Sequence, residues 1–340
     1  MRFTDMADEL FGTAEGALPA GVRLATAKRG GVTVTRVEIA REGLSRPRGR
    51  YVTLEMPSVS VLDERDADVI ETCAAELRAL LPPEGPVLVL GVGSRRITAD
   101  ALGPRTVQKV LVTMGPQHAL PVRGIRPVAA IAPGVSGSTG LTLCQLAGAM
   151  VEAVRPAALI CVDSLCSTEG ARLGRSIQFS DTGLHPAQAD HARHLDAGML
   201  GVPVVAAGIP TLMEAEEGAD LVVTPRALDS VIAHGSALLA AAINRALQPR
   251  LSVAQLCWLT GCKRFLQSVA AAAQKCTAPL GFCAILHPAR HTMIKQAGRR
   301  CRHAQQDPAA RPGTGAGQAI SGSSSAVCRT KIGRASCRER

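Results

Sequence analysis

The chain has 340 residues, enough for one large domain or two ordinary ones. Apolar residues make up 46%, which excludes a wholly disordered chain, and aromatics only 2%, which argues against a nucleic-acid surface of stacked rings. The formal charge of +10 belongs to the tail: residues 1–261 carry 24 Lys and Arg against 26 Asp and Glu, whereas residues 262–340 carry 14 against 2. A basic nucleic-acid-binding body is therefore not expected.

Residues 1–20 are small and polar, without a period. They carry Asp5, Asp8 and Glu9 where a secretory signal would be apolar. No uninterrupted apolar run reaches the roughly 18 residues of a membrane helix. The expectation is a cytoplasmic protein with no membrane contact. Four cysteines precede residue 250, which suits a reducing compartment better than a disulfide scaffold.

Two short strands, Val22–Ala27 and Val32–Ile39, are predicted around the turn Lys28–Gly31, followed by a basic loop and a strand at Tyr51–Leu54. The spacing of Val69, Ile70, Cys73, Leu77, Leu80 and Leu81 predicts a helix over 63–81 that stops at Pro82–Pro83. Then strands and helices alternate. The strands are Pro86–Leu90, Pro127–Ile131, Ala157–Val162, Ser176–Phe179 and Val202–Ala207. The helices are Ala101–Val112, Leu141–Val154, Ala227–Leu247 and Ser252–Leu259. Wholly apolar strands separated by helices predict a largely parallel sheet covered on both faces. Residues 262–340 show no sustained period, 308–325 reads as linker, and 332–340 looks like a translated sequencing adapter. The expected organisation is an N-terminal segment 1–20, a body 21–261, and a non-native or disordered tail 262–340.

Four segments offer chemistry. GVGSRRITADALGP (91–104) follows an apolar strand, at the end of an open α/β sheet where ligands bind. Gly91 and Gly93 permit a tight turn, and Asp100 begins the next helix, where a plain N-cap is the competing role. A dinucleotide fingerprint fails because Arg96 stands where its third glycine belongs. In ALICVDSLC (158–166), Asp163 ends an apolar strand, a poorly solvated place that raises a carboxylate's pKa unless it is paired. Cys161 and Cys166 beside it read as buried thiols. SDTGLHP (180–186) sets Asp181 and His185 to line a cleft or to form a turn. APGVSGSTG (132–140) fails the G-x-S-x-G pattern because Ser138 replaces the second glycine.

Taken together and in order, these segments resemble the spore germination protease family. GRYVTLE (49–55), VLVT (110–113), RPVAAIAPGVSGSTG (126–140), SIQFSDTGLHP (176–186) and LGVPVVAAGIPT (200–211) carry the resemblance with them. FTDMADE (3–9) is similar to the family's pro-peptide junction, which falls at Asp5–Met6. The resemblance implies a three-layer α/β/α fold with a mostly parallel central sheet, similar to hydrogenase maturation proteases. It also implies a homotetrameric zymogen of the forespore and spore core. The implied activity is an aspartate-dependent endopeptidase that degrades small acid-soluble DNA-binding spore proteins. Its two proposed catalytic aspartates fall on Asp100 and Asp163, with Asp181, His185, Gly91 and Gly93 as supporting cleft residues. No metal or cofactor is expected. Departures from the family pattern include Ser94 for Asn, Ala99 for Pro and Ser136 for Met.

Two carboxylates in one dry cleft do not both ionise easily, so one keeps its proton. The charged one activates water and the protonated one polarises the scissile carbonyl. Two alternatives stand beside this reading. One is a metal-linked maturation-type peptidase with His185, Asp100 and Asp163 as ligands. The other is a non-catalytic binding protein with a relict cleft.

Overall fold

The computed structural model describes residues 3–11, 18–61, 66–115, 124–185, 194–215 and 221–260. The expected tail, residues 262–340, lies outside them. In chain order the elements are α1 (Ala7–Phe11), β1 (Val22–Arg29), β2 (Val32–Ile39), β3 (Gly49–Glu55), α2 (Asp66–Leu80), β4 (Val87–Gly91) and α3 (Leu102–Val107). They continue with β5 (Val128–Ile131), α4 (Ser136–Thr139), α5 (Leu143–Val154), β6 (Ala158–Cys166), β7 (Ser176–Ser180) and α6 (Ala197–Leu200). The last are β8 (Val204–Glu214), β9 (Val222–Val223), α7 (Leu228–Leu247) and α8 (Val253–Thr260).

The sheet runs β1-β2-β3-β7-β8-β6-β4-β5, with β9 on β8. Its central strands β8, β6, β4 and β5 are parallel. They are buried on both faces, which is why β4 reads as an unbroken apolar run. An antiparallel wing extends the sheet: β1, β2 and β3 form a meander, and β3 joins through β7 to β8.

On one face, α2, α3, α7 and α8 close a continuous core over both halves, with Ile70, Leu77, Leu102, Leu238 and Ile243 fully buried. Burial of each such side chain contributes about 1.5–3 kcal/mol. α7 is long and apolar enough to cross a membrane by length and composition, but 72% of its apolar window is buried, so it is a core helix here. Its last turn is held by Arg78, whose guanidinium donates to the Arg245 and Ala246 carbonyls.

The opposite face carries two separate apolar clusters. α5 and α6 cover β4 and β6 through Leu88, Leu90, Leu159 and Cys161. α1 covers the meander through Ala7, Phe11, Val37, Ile39 and Tyr51. Between them this face is polar, because β3 and β7 turn Thr53, Gln178 and Ser180 toward it while Val52, Leu54, Ile177 and Phe179 enter the core behind.

Three boundaries differ from the sequence expectation by more than three residues. The predicted helix 101–112 ends at Val107, because the Leu111 amide is taken by the Asn244 Oδ1 acceptor of α7 at 2.7 Å. β8 runs seven residues past Ala207, through Gly208 and Pro210 to Glu214. Pro210 is tolerated because the β6–β8 ladder shifts register at Leu165/Cys166, opposite it. With β8 as its partner, β6 likewise continues past Val162 to Cys166. Asp163 therefore lies within a strand rather than at its end.

Candidate active site

The β4 strand leads into the candidate site. Its register with β6 ends at Gly91↔Val162, and the next amide, Val92, still donates to the Val162 carbonyl at 2.8 Å. The chain then leaves the sheet, loops through Arg95 and Arg96, and returns in a 3-10 turn, Thr98–Asp100, packed against β6. That turn is anchored from below by the fully buried Thr211, whose hydroxyl donates to the Ala99 carbonyl at 3.0 Å.

Asp100 is not a helix cap. The residue preceding α3 is Ala101, and no side chain caps that helix. The Asp100 carboxylate instead closes its own loop, accepting the Ser94 amide at 2.6 Å. Gly93 makes this possible: its φ is +108°, and a Cβ there would stand 2.2 Å from the Asp100 carbonyl oxygen. Gly91 abuts Gly103 of α3 with similar tightness.

Asp163 follows Val162 on β6 and faces the α5 side of the sheet. Its carboxylate accepts the Ser164 amide at 2.8 Å. Burial is the main cause pushing its pKa up, to about 8, and the neighbouring charges of Asp100 and Asp5 push the same way. The Asp100 pKa is also raised by burial, against the opposing pull of the Ser94 amide. Asp100 is thus near enough for its charge to raise the Asp163 pKa, although burial is the first cause for each carboxylate.

This has a stability consequence. An Asp with a folded pKa near 8 and an ordinary unfolded value binds a proton only in the native state between about pH 4 and 8. Wild-type stability therefore falls as pH rises through that window, at a limit of about 1.4 kcal/mol per pH unit. Asp163→Asn removes this dependence. Thermal melts at pH 5 and pH 8 are expected to show the variant gaining on wild type at the higher pH; parallel melting curves at both would contradict the assignment.

The remaining sequence candidates fall into two groups. Asp181 is committed to Arg50, its carboxylate accepting from the Arg50 amide and guanidinium, each at 2.7 Å. It ties the start of β3 to the end of β7. His185 sits in a small cleft with Asp5, Arg46, Gln178 and Ser180. Its Nε2 lies 2.9 Å from the Thr182 carbonyl and 3.7 Å from Asp196, and its ring meets His194 edge-on. It therefore does not complete a ligand set with Asp100 and Asp163. Among the described residues no three His, Cys, Asp or Glu side chains come together as a metal-binding group. Cys161 and Cys166 are buried thiols whose pKa values are pushed up by burial. The Ser/Gly loop holds an exposed short helix, α4, and serves as the approach to α5, which Thr142 and Gln145 start with a capping box.

The N-terminal segment departs most from expectation. Small and polar in sequence, it nevertheless packs into the body: Met6 and Ala7 are fully buried. The Asp5 amide donates to the Cys166 carbonyl, and the Cys166 amide donates back to the Asp5 carboxylate, both at 2.8 Å. Arg46 donates to the Thr4 carbonyl and lies 3.4 Å from the Asp5 carboxylate. Asp8 is held by Arg172 at 2.5 Å and by Thr53 at 2.9 Å, and Glu9 by Thr4, Ser167 and Thr168. Sequence reading missed Arg46, Arg172 and Gln178. The one signal was the alternation Ser176-Ile177-Gln178-Phe179-Ser180, which sets a polar face on an otherwise buried strand.

Comparison with known proteins defines the class. A family model described as germination protease matches residues 17–217. The germination protease of Clostridium perfringens is 32% identical over 278 residues, covering 65% of this chain and 86% of that protein. That of Bacillus velezensis is 36% identical over 206 residues, 55% of each chain. That of Priestia megaterium is 33% identical over 231 residues, 63% of this chain and 60% of that one. A solved NiFe hydrogenase maturation protease from Thermococcus kodakarensis matches with a TM-score of 0.30 and 15% identity, over 49% of this chain and 98% of that one, a likeness that carries no argument. These matches make the protein a peptidase, a hydrolase of peptide bonds. The chain belongs to the germination protease family, and its role is in spore germination.

Proposed function

We propose that this peptidase cuts small acid-soluble DNA-binding spore proteins internally, using Asp100 and Asp163 as its catalytic pair. The observation that supports the reading is a buried Asp163 whose pKa is raised first by burial and further by the neighbouring charge of Asp100. In the ground state Asp163 is the acid and Asp100 the base. Asp100 takes a proton from water as the water oxygen bonds to the scissile carbonyl carbon. Asp163 gives its proton to the carbonyl oxygen. Collapse of the tetrahedral intermediate breaks the C–N bond; the proton on Asp100 goes to the leaving amine, and the carbonyl oxygen's proton returns to Asp163. As pH rises through about 8, Asp163 loses its proton, so kcat/KM is expected to fall there.

The resemblance supports a homotetrameric zymogen in the forespore and spore core, with a short pro-segment removed at Asp5–Met6. The seating of Asp5 against β6, within range of the Asp163 charge, supports that junction. The test is incubation of the chain with a purified small acid-soluble spore protein and mass spectrometry of the products. Internal fragments formed in the presence of a chelator are expected. Fragments that vanish on chelation would favour the metal-linked alternative. An intact substrate beside a folded chain would favour the relict binding protein.

A further inference from the structure

The polar strip between the two apolar clusters follows one row of the sheet. Asp163 of β6 pairs with Gly208 of β8, and Gly208 pairs with Gln178 of β7. Gln178 pairs with Thr53 of β3, and Thr53 with Thr35 of β2. All face the same way, because their neighbours Val162, Ala207, Ile209, Ile177, Phe179, Val52 and Leu54 enter the core behind. Gly208 has no side chain of its own, and the buried Leu165 side chain takes that place between Asp163 and Gln178. A Cβ there would come within 2.6 Å of both the Asp163 carbonyl oxygen and the Leu165 side chain. The row is thus a shallow trough with Asp163 on one wall and Gln178 on the other, floored by the Leu165 side chain over Gly208. At two strand spacings the walls are roughly 10 Å apart, the width an extended peptide needs.

Residues of the N-terminal segment lie in this trough and run across the strands. Asp5 is at Cys166 of β6, three residues beyond Asp163, Ala7 at Gln178, and Asp8 at Thr53. The Gln178 carboxamide is used at both ends. Its Oε1 accepts the Ala7 amide at 2.8 Å, and its Nε2 donates to the Asp5 carbonyl at 2.8 Å. It therefore bonds the two peptide groups that flank Met6, and touches only backbone. A carboxamide is suited to this, since it offers a donor and an acceptor on one rigid plane. Asp5 and Asp8 side chains are held by other groups, so this grip is blind to their identity.

We infer that the trough is the peptide-binding groove of the enzyme and that Gln178 is its backbone clamp, a positioning residue that holds a substrate chain across the sheet beside Asp163. The inference rests on the peptidase reading only for what happens after binding. Two hydrogen bonds of ordinary net strength imply a tenfold to hundredfold effect on binding.

The test uses Gln178→Ala, Gln178→Glu and Asp163→Asn in the full chain. Hydrogen exchange of the amides of residues 4–9, followed by mass spectrometry, is expected to speed at least tenfold in Gln178→Ala. Gln178→Glu keeps the acceptor for Ala7 but loses the donor to Asp5, and should fall between. Amides of β4 and β6 must exchange as in wild type; if they speed in parallel, Gln178 is merely structural and the inference fails. In the second arm, run in an Ala7→Pro background so that the chain's own segment loses its amide bond to Gln178, the free peptide FTDMADELF is the substrate. Gln178→Ala should raise KM at least tenfold with kcat within about threefold. Unchanged exchange in the first arm, or unchanged KM in the second, overturns the clamp. Asp163→Asn separates the two claims: it should stop hydrolysis and leave the segment protected. If it cleaves like wild type, the catalytic assignment falls, and the exchange result still decides Gln178.

Discussion

Replacing either Asp100 or Asp163 by Asn is expected to lower the rate of peptide hydrolysis by about 10² to 10⁴, the span of acid–base groups. The change preserves volume and most hydrogen-bonding geometry. The Asp100 side chain would still accept the Ser94 amide through its remaining oxygen, and the Asp163 side chain the Ser164 amide. The double variant should be little slower than the worse single one, because the two groups serve one proton circuit. Asp181→Asn is the comparison, expected to cost far less in rate because Asp181 is committed to Arg50. Steady-state rates on a spore-protein substrate, with thermal melts as the folding check, decide it. A folded Asp163→Asn enzyme that cleaves near the wild-type rate ends the proposal.

Gly103→Ala is expected to be a strongly damaging single-methyl change near the site. α3 approaches the sheet so closely here that an added Cβ would lie 2.3 Å from the Val92 carbonyl oxygen and 2.3 Å from that of Val162. Both contacts are backbone, one on β6 and one just past the end of β4, and neither can rotate away. Overpacking of this kind costs about 1–3 kcal/mol where side chains yield, and the upper end or more is expected here. For a body of this size that is a fall in Tm of roughly 10 °C. The strain falls between Val92, where the Asp100 loop leaves β4, and Val162, next to Asp163. Activity should therefore drop at temperatures where the variant is still folded. A melting temperature within two degrees of wild type would show that α3 can retreat from the sheet.

Much of this was legible in the sequence because burial is written locally. VLVL, ALICV and VPVVAA are apolar without alternation, which marks strands covered on both faces, and the helices between them carry their own period. Asp100 and Asp163 stood out for the same reason: each is a carboxylate at or just beyond such a run. The strands they follow, β4 and β6, are neighbours in the parallel sheet, the place where open α/β sheets bind ligands.

Other features depended on partners distant in sequence, which no local pattern names. The helix predicted through Val112 ends at Val107 because Asn244, far along the chain, captures an amide. Gly208 and Pro210 look like the end of a strand, yet β8 runs through them because β6 and β7 lie on either side to receive it. The wing of β1, β2 and β3 joins the parallel sheet only through β7, a pairing between segments more than a hundred residues apart. The N-terminal segment reads as a polar tail, because its acidic residues are favourable in water. It is buried because Arg46, Arg172 and Gln178, brought together from three separate stretches, supply the donors that make burying those carboxylates and amides affordable. Residue type and period thus set which surfaces leave water, while long-range pairing sets which of them meet, and the groove beside Asp163 is a product of the second.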